Sequence, residues 1–236
     1  MRVIIPCGGD GSRWSDYTGG PKQLIFSEGM TLLERMVGLL RKYTEDIWVI
    51  TEDGRIRDHL VGEVTFDSGK KFSQPVQVDK VMCSECLWLS YGETVILFGD
   101  VFCTPETVRL LMEEGLAPLT FYGRLEPSEL TGKTSPEIYG LKFTPNGQNV
   151  LRAHCEYIRE AVHSGELDPR RVDYIRYVLE MVEGKGVLEL MNGNTKYLVR
   201  IDDWTEDFDR PKDWVNWKRR RRCHDNVRKD TADCHY

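Results

Sequence analysis

The chain opens with a short apolar strand, Arg2-Val-Ile-Ile-Pro6, that runs directly into Cys7-Gly8-Gly9-Asp10-Gly11-Ser12-Arg13. A buried strand that ends in glycines lets a ligand approach the backbone closely. It also demands neighbouring strands to bury it, and the sequence supplies them. Ile47 to Thr51 reads as a second strand, and Thr94 to Phe98, ending at Gly99-Asp100, is the strongest strand of the chain. Between them Thr31-Leu-Leu-Glu34 forms a capping box for a helix whose apolar stripe is Leu32, Leu33, Met36, Val37 and Leu40. Thr104-Pro105 caps the helix after Asp100. A short helix is expected over Arg55 to Leu60, weak strands over Val64 to Phe66 and Val76 to Val78, and a helical piece over Ser84 to Tyr91.

Further on, strands are expected at Leu119 to Tyr122, Ile138 to Phe143 and Tyr197 to Ile201, with helices at Val150 to His163 and Pro169 to Val182. Strands alternating with helices predict an α/β fold, a parallel sheet with helices on both faces. The paired helices look like a small insertion between late strands. No repeat or low-complexity linker interrupts the pattern.

Composition narrows the classes. Of 236 residues, 40% are hydrophobic and 30% charged, and no apolar run approaches the ~20 residues that span a bilayer. The apolar stretch at the N-terminus is shorter than the roughly 7–15 residues of a secretory signal core. A soluble, cytoplasmic protein with no membrane partner is the expectation. The net charge of -6 argues against a general nucleic-acid binder, which carries a basic face. The seven cysteines are odd in number and have no framework spacing, which points to reduced thiols. Oligomeric state is left open.

A glycine-rich turn after the first strand brings backbone N–H groups close to phosphates, and Arg13 and Lys22 add charge. The turn is neither a P-loop, which needs Gly-Lys-Ser/Thr at the helix start, nor a dinucleotide fingerprint, whose third glycine is missing. A tight turn with a solvated arginine and lysine is the bland alternative.

The spacing of IIPCGGDGSRW, PKQLIF and EGMTLLERM resembles the opening of the nucleotidyltransferase superfamily, which activates sugar, alditol and related phosphates. The resemblance covers residues 3 to 37 closely, with Cys7 where the family usually has alanine. It implies a Rossmann-like three-layer sandwich with a mixed, mostly parallel sheet. The implied organisation is a single domain over 1–215, with a nucleotide half over 1–118, an acceptor half over 119–215 and a helical insertion near 150–183, followed by a basic helix or tail over 216–236. It further implies that Pro6, Cys7, Gly8, Gly9, Gly11 and Ser12 hold the nucleotide, and that Arg13 and Lys22 are catalytic, stabilising charge that moves onto pyrophosphate.

Asp100 can be read from the residues themselves. An apolar strand delivers its carboxylate at the sheet edge where ligands bind in open α/β folds, and a carboxylate there suits Mg²⁺. The segment Ile201-Asp-Asp-Trp-Thr-Glu-Asp-Phe-Asp-Arg-Pro-Lys-Asp-Trp214 resembles the superfamily's closing motif. By that resemblance Asp209 supplies the second metal carboxylate, with Asp207 as the rival should it face the cleft instead. Ser84 is implied as a nucleotide contact, although the glycine usual before it is absent. Glu137-Ile-Tyr-Gly140 resembles the acceptor strand, which makes Glu137 and Gly140 acceptor-binding candidates. The implied reaction joins a nucleoside triphosphate to a small phosphorylated acceptor, with Mg²⁺ and release of pyrophosphate.

Three alternatives stay open. A glycosyltransferase of similar topology would show Asp-x-Asp after its metal strand, where this chain has Gly99-Asp100-Val-Phe. A non-catalytic binding module would keep the cradle and lose the carboxylates. Cys83-Ser-Glu-Cys86 could also form half a zinc site, completed by Cys223-His224 and Cys234-His235. The basic run Lys218 to Arg222 reads as a solvated helix end able to pair with acidic groups or phosphate.

Overall fold

The computed structural model of the chain describes residues 1–8, 14, 17, 19–60, 64–67, 78–115, 118–168 and 174–232. β1 (Arg2–Pro6) lies inside a seven-stranded sheet. To one side it pairs in parallel with β4 (Ile47–Ile50), which pairs in parallel with β5 (Thr65–Asp67). Short strands β2 (Phe26–Ser27) and β3 (Met30–Thr31) form a separate hairpin between β1 and β4. On the other side β1 pairs in parallel with β6 (Thr94–Leu97). β7 (Val101–Phe102) follows β6 but leaves the main sheet.

β8 (Leu119–Arg124) and β9 (Glu137–Phe143) come next in sequence, and β9 runs antiparallel between β8 and β6. β10 (Leu198–Arg200) closes the far edge, parallel to β8. The sheet is therefore mixed and mostly parallel, as expected. A last short strand, β11 (Glu206–Asp207), pairs antiparallel with β7 outside it.

Period-two alternation assigns the strands' side chains to two layers. Val3, Ile5, Val95 and Leu97 face α1 (Leu32–Leu40), α2 (Gly54–His59) and α4 (Pro105–Glu113). Ile4 and Ile96 face α3 (Val78–Met82), α5 (Pro145–His163), α6 (Tyr174–Glu183) and α7 (Val187–Asn192). Each fully buried aliphatic side chain contributes about 1.5–3 kcal/mol to this sandwich. Helix α1 begins with the expected capping box: Thr31 Oγ1 accepts from Glu34 N at 3.2 Å, while Glu34 Oε2 accepts from Thr31 N at 2.6 Å.

Several elements differ from expectation. Val78 opens a helix rather than closing a strand, and residues 76 and 77 lie outside the described residues. The piece expected over Ser84 to Tyr91 is one 3-10 turn, Glu85–Leu87, after which Trp88 drops into the core. Helix α5 starts five residues early because Thr144-Pro145 opens it with a proline at the first helical position. The C-terminal helix α8 (Pro211–Ala232) is continuous. Its Trp214 and Trp217 pack with Phe102, Phe208, Trp14, Ile25 and Leu32 in a third cluster beside the sheet edge.

Gly99, between β6 and Asp100, has a packing reason to be glycine. A Cβ there would lie on the Cys7 sulfur, 3.2 Å from Ile5 Cγ2 and 3.3 Å from the Pro6 carbonyl oxygen. Gly99→Ala is expected to destabilise the fold by about 2 kcal/mol, and adding Cys7→Ala should recover most of that loss by removing the sulfur. Urea unfolding of the two single variants and the double variant checks this; an unchanged midpoint for Gly99→Ala, or no recovery in the double, would contradict it.

Candidate active site

Pro21 O accepts from Leu24 N at 2.9 Å and Lys22 O from Ile25 N at 3.1 Å, so Lys22–Leu24 forms a tight 3-10 turn. Ile25 is buried in the aromatic cluster and Leu24 packs against the layer of α1. Clamped on both sides, the turn sends Lys22 inward, where its ammonium lies 2.5 Å from Asp100 Oδ2 and 3.8 Å from Asp209 Oδ1. Residues 22, 100 and 209 thus meet at the carboxyl ends of β1 and β6.

The β7–β11 ladder explains how Asp209 gets there. Asp207 pairs with Val101, the residue after Asp100, so the acidic segment runs beside Asp100. Phe208 points the other way, 5.1 Å from Trp214 and 5.6 Å from Trp217 between ring centroids. With Phe208 anchored, Asp207 and Asp209 share the opposite side of an extended segment, as an i, i+2 pair must. Lys133 touches both: its Nζ lies 3.1 Å from Asp207 Oδ2 and 3.6 Å from Asp209 Oδ2. The same ammonium meets Glu137 Oε1 at 3.2 Å and donates to the Asp207 carbonyl at 3.0 Å.

Four carboxylates and two ammonium groups in one cleft shift one another. Burial opposes the charge on Lys22, but Asp100, Asp207 and Asp209 overcome it and hold its pKa above the ordinary lysine value. Lys133 is likewise raised, with Asp207, Glu137 and Asp209 outweighing its burial. Asp100 is buried too, yet Lys22 and then Lys80 keep its carboxyl below the usual range. Asp207 carries the cost: burial, with the charges of Asp100 and Asp209 adding to it against the pull of Lys133 and Lys22, pushes it up to about 6.

The donor set fits a hard cation. Oxygens of Glu137, Asp207 and Asp209 lie within 4.8 Å of one another, and Asp207 Oδ1 is buried with no hydrogen-bond partner among the described residues. A buried carboxylate oxygen without a donor is costly, and an oxygen-seeking divalent ion would remove that cost. Asp209, which the resemblance implies as the second metal carboxylate, is in this group. Asp100 stands beside it, held by Lys22.

The other expected residues are placed as follows. Gly9, Gly11, Ser12 and Arg13 lie outside the described residues. Pro6 O accepts from Gly99 N at 3.2 Å and Cys7 N donates to Ile50 O at 2.8 Å, so both are tied to neighbouring strands. The Cys7 thiol is buried, and burial and then Asp100 push its pKa up. Ser84 is fully buried; its hydroxyl donates to Val81 O at 2.6 Å and accepts from Trp88 Nε1 at 2.8 Å. Gly140 is accounted for by the sheet, since a Cβ there would come 2.6 Å from Ile96 O.

Cys83 is buried and donates to Lys80 O while Cys86 is exposed, and Cys234 and His235 lie outside the described residues. Arg221, from the basic run, lies over Phe102 and Trp217, 5.0 Å from each ring centroid, and pairs with Glu28, fastening α8. Lys133 escaped the sequence reading; it sits in a polar loop without periodicity or motif, and only its four-residue spacing from Glu137 hinted at a pair.

In sequence, no protein-family model and no curated protein matches the chain. In structure it is similar to the inositol-1-phosphate CTP transferase of T. maritima, at 15% identity and TM-score 0.55, covering 90% of each chain. It is similar to the CTP:phosphocholine cytidylyltransferase of Streptococcus pneumoniae, at 13% identity and TM-score 0.51, covering 91% of this chain and 96% of the other. A Bacillus anthracis protein described as a glucose-1-phosphate thymidylyltransferase aligns at 15% identity and TM-score 0.54, over 92% and 95% of the two chains. The chain shares the fold of these three proteins.

The raised pKa of Asp207 sets a pH dependence. A carboxyl whose pKa rises from 3.8 to about 6 on folding costs nothing below the lower value, where it is protonated in both states, and costs most above the upper one. Asp207→Asn is therefore expected to raise the melting temperature of the metal-free protein more at pH 8 than at pH 5. Thermal unfolding at the two pH values checks this, and an equal gain at both, or a loss at pH 8, would contradict it.

Proposed function

We propose that the protein is a nucleotidyltransferase that joins a nucleoside triphosphate to a small phosphorylated acceptor and releases pyrophosphate. The observation that carries this reading is Lys22, from the segment that resembles the superfamily's Pro-Lys-x-Leu, buried between Asp100 and Asp209 at the carboxyl edge of a sheet with the nucleotidyltransferase fold. The relatives of that fold act, by their names, on inositol-1-phosphate, phosphocholine and glucose-1-phosphate. All three acceptors are phosphate esters.

In the reaction an oxygen of the acceptor phosphate attacks the α-phosphorus, and the bond to the β,γ-pyrophosphate breaks. The nucleophile is already ionised at neutral pH, so positioning and charge neutralisation carry the rate rather than a general base. Gly8 and the residues after it receive the triphosphate on backbone amides. Lys22 and Arg13 oppose the negative charge growing on the pyrophosphate. Lys133, beside Glu137 at the start of β9, supplies positive charge on the acceptor side. Asp207, Asp209 and Glu137, with Asp100 adjacent, would hold Mg²⁺, which supplies further neutralisation of phosphate charge. The carboxylates also keep both lysines protonated, so that each ammonium is charged when phosphate arrives.

Pyrophosphate release measured with Mg²⁺ over the four nucleoside triphosphates, against a panel of sugar, alditol and amino-alcohol phosphates, tests the reading. Turnover with at least one pair is expected; hydrolysis of a ready-made nucleotide sugar in its place would favour the glycosyltransferase reading. Lys22→Ala should lower turnover by about 10²-fold or more with the fold intact. Asp209→Ala should abolish it, and Asp209→Asn should be milder because its amide oxygen can still ligate. Full activity in Lys22→Ala would contradict the role given to the lysine.

A further inference from the structure

The loop between β8 and β9 brings Lys133 to the carboxylates, yet it has no regular ladder to hold it. Its hold is a buried side chain from β11. Glu206 is fully buried, and its Oε2 accepts from the Ser128 hydroxyl and, at 3.4 Å, from Thr131 Oγ1. Ser128 Oγ also accepts the amides of Leu130 and Thr131, each at 3.1 Å, so one hydroxyl organises the turn and ties it to Glu206. Arg124 Nη2 lies 3.5 Å from Glu206 Oε1 and fixes the start of the loop. Ser128 N donates to Lys133 O at 2.7 Å, which passes the restraint directly to the lysine's backbone.

Neighbouring residues of an extended strand point to opposite sides. Asp207 faces the cleft, and Glu206 faces the loop. The same two-residue strand therefore sets the carboxylate of Asp207 and, through the loop, the ammonium that meets it. A carboxylate is costly to bury unless its lone pairs are met, and here Ser128, Thr131 and Arg124 meet them. An apolar residue at 206 would fill the space but leave the Ser128 hydroxyl without its acceptor and the loop without a fixed turn.

We infer that Glu206 is a positioning residue: through Ser128 and Thr131 it fixes the β8–β9 loop so that the Lys133 ammonium stands over Asp207, Asp209 and Glu137. The kinetic consequence rests on the nucleotidyl-transfer reading, while the positional one does not.

The test uses the full chain with Glu206→Gln, Lys133→Ala and the double variant. Acylation of lysines read by mass spectrometry is expected to show Lys133 protected in the wild type and labelled several-fold faster in Glu206→Gln, with Lys22 unchanged. In turnover, Glu206→Gln should lower kcat/KM by about tenfold, yet add less than about twofold when placed on Lys133→Ala, because it acts through that lysine. If Glu206→Gln does not fold, Ser128→Ala removes the loop's half of the contact and takes its place in both arms. Unchanged labelling of Lys133, or a full multiplicative loss in the double variant, would overturn the inference. A wild type inactive on every substrate pair would overturn the transfer reading instead, and the labelling arm alone would then decide the role of Glu206.

Discussion

The site depends on one buried ammonium. Lys22 lies between Asp100 and Asp209 with its side chain mostly withdrawn from solvent, and desolvating such a group is unfavourable unless opposite charge surrounds it. Three segments far apart in sequence must converge for that to happen. The 3-10 turn delivers the lysine, the end of β6 delivers Asp100, and the β7–β11 ladder delivers Asp209. Removing Lys22 would leave Asp100 without the cation that meets it, and removing Asp100 would leave Lys22 only the more distant carboxylate of Asp209.

The negative charge in this cleft is best understood as preparation for ligands. Asp207 resists ionisation because it is buried and because the charges of Asp100 and Asp209 add to that burial, while Glu137 lies in the same cluster, an arrangement that stability alone would not favour. Lys22 and Lys133 relieve part of the repulsion. The aromatic cluster holds the arrangement in place: Phe208, seated on Trp214 and Trp217, orients the two aspartates flanking it, so helix α8 acts on the site from behind. The basic run of α8 contributes through Arg221, which reaches the same aromatics and Glu28.

What the sequence revealed and what it concealed divide along the range of the interactions. Strand β1, the capping box at Thr31 and the strand ending at Asp100 are local patterns, and they stand where the pattern put them. Asp209 and Asp207 read in sequence as rivals for one role, and their shared direction became clear only with the anchoring of Phe208. Strand β11 spans two residues and exists only because β7 offers it a partner, so no local periodicity announces it. Lys133 and Glu206 are ordinary charged residues in sequence, and their roles arise from a loop folding against a strand more than seventy positions away. Ser84 and Gly140 matched a family position, yet burial and close backbone contact already account for both residues.

The most direct test of this account is the position of a metal ion in the presence of nucleotide. Crystals of the protein grown with Mn²⁺ and a non-hydrolysable nucleoside triphosphate, analysed by anomalous diffraction, are expected to show manganese at coordination distance from Asp209 and at least one of Asp100, Asp207 and Glu137, with the triphosphate beside Lys22. Manganese and triphosphate bound away from this cleft, with Lys22 still buried between Asp100 and Asp209, would contradict it.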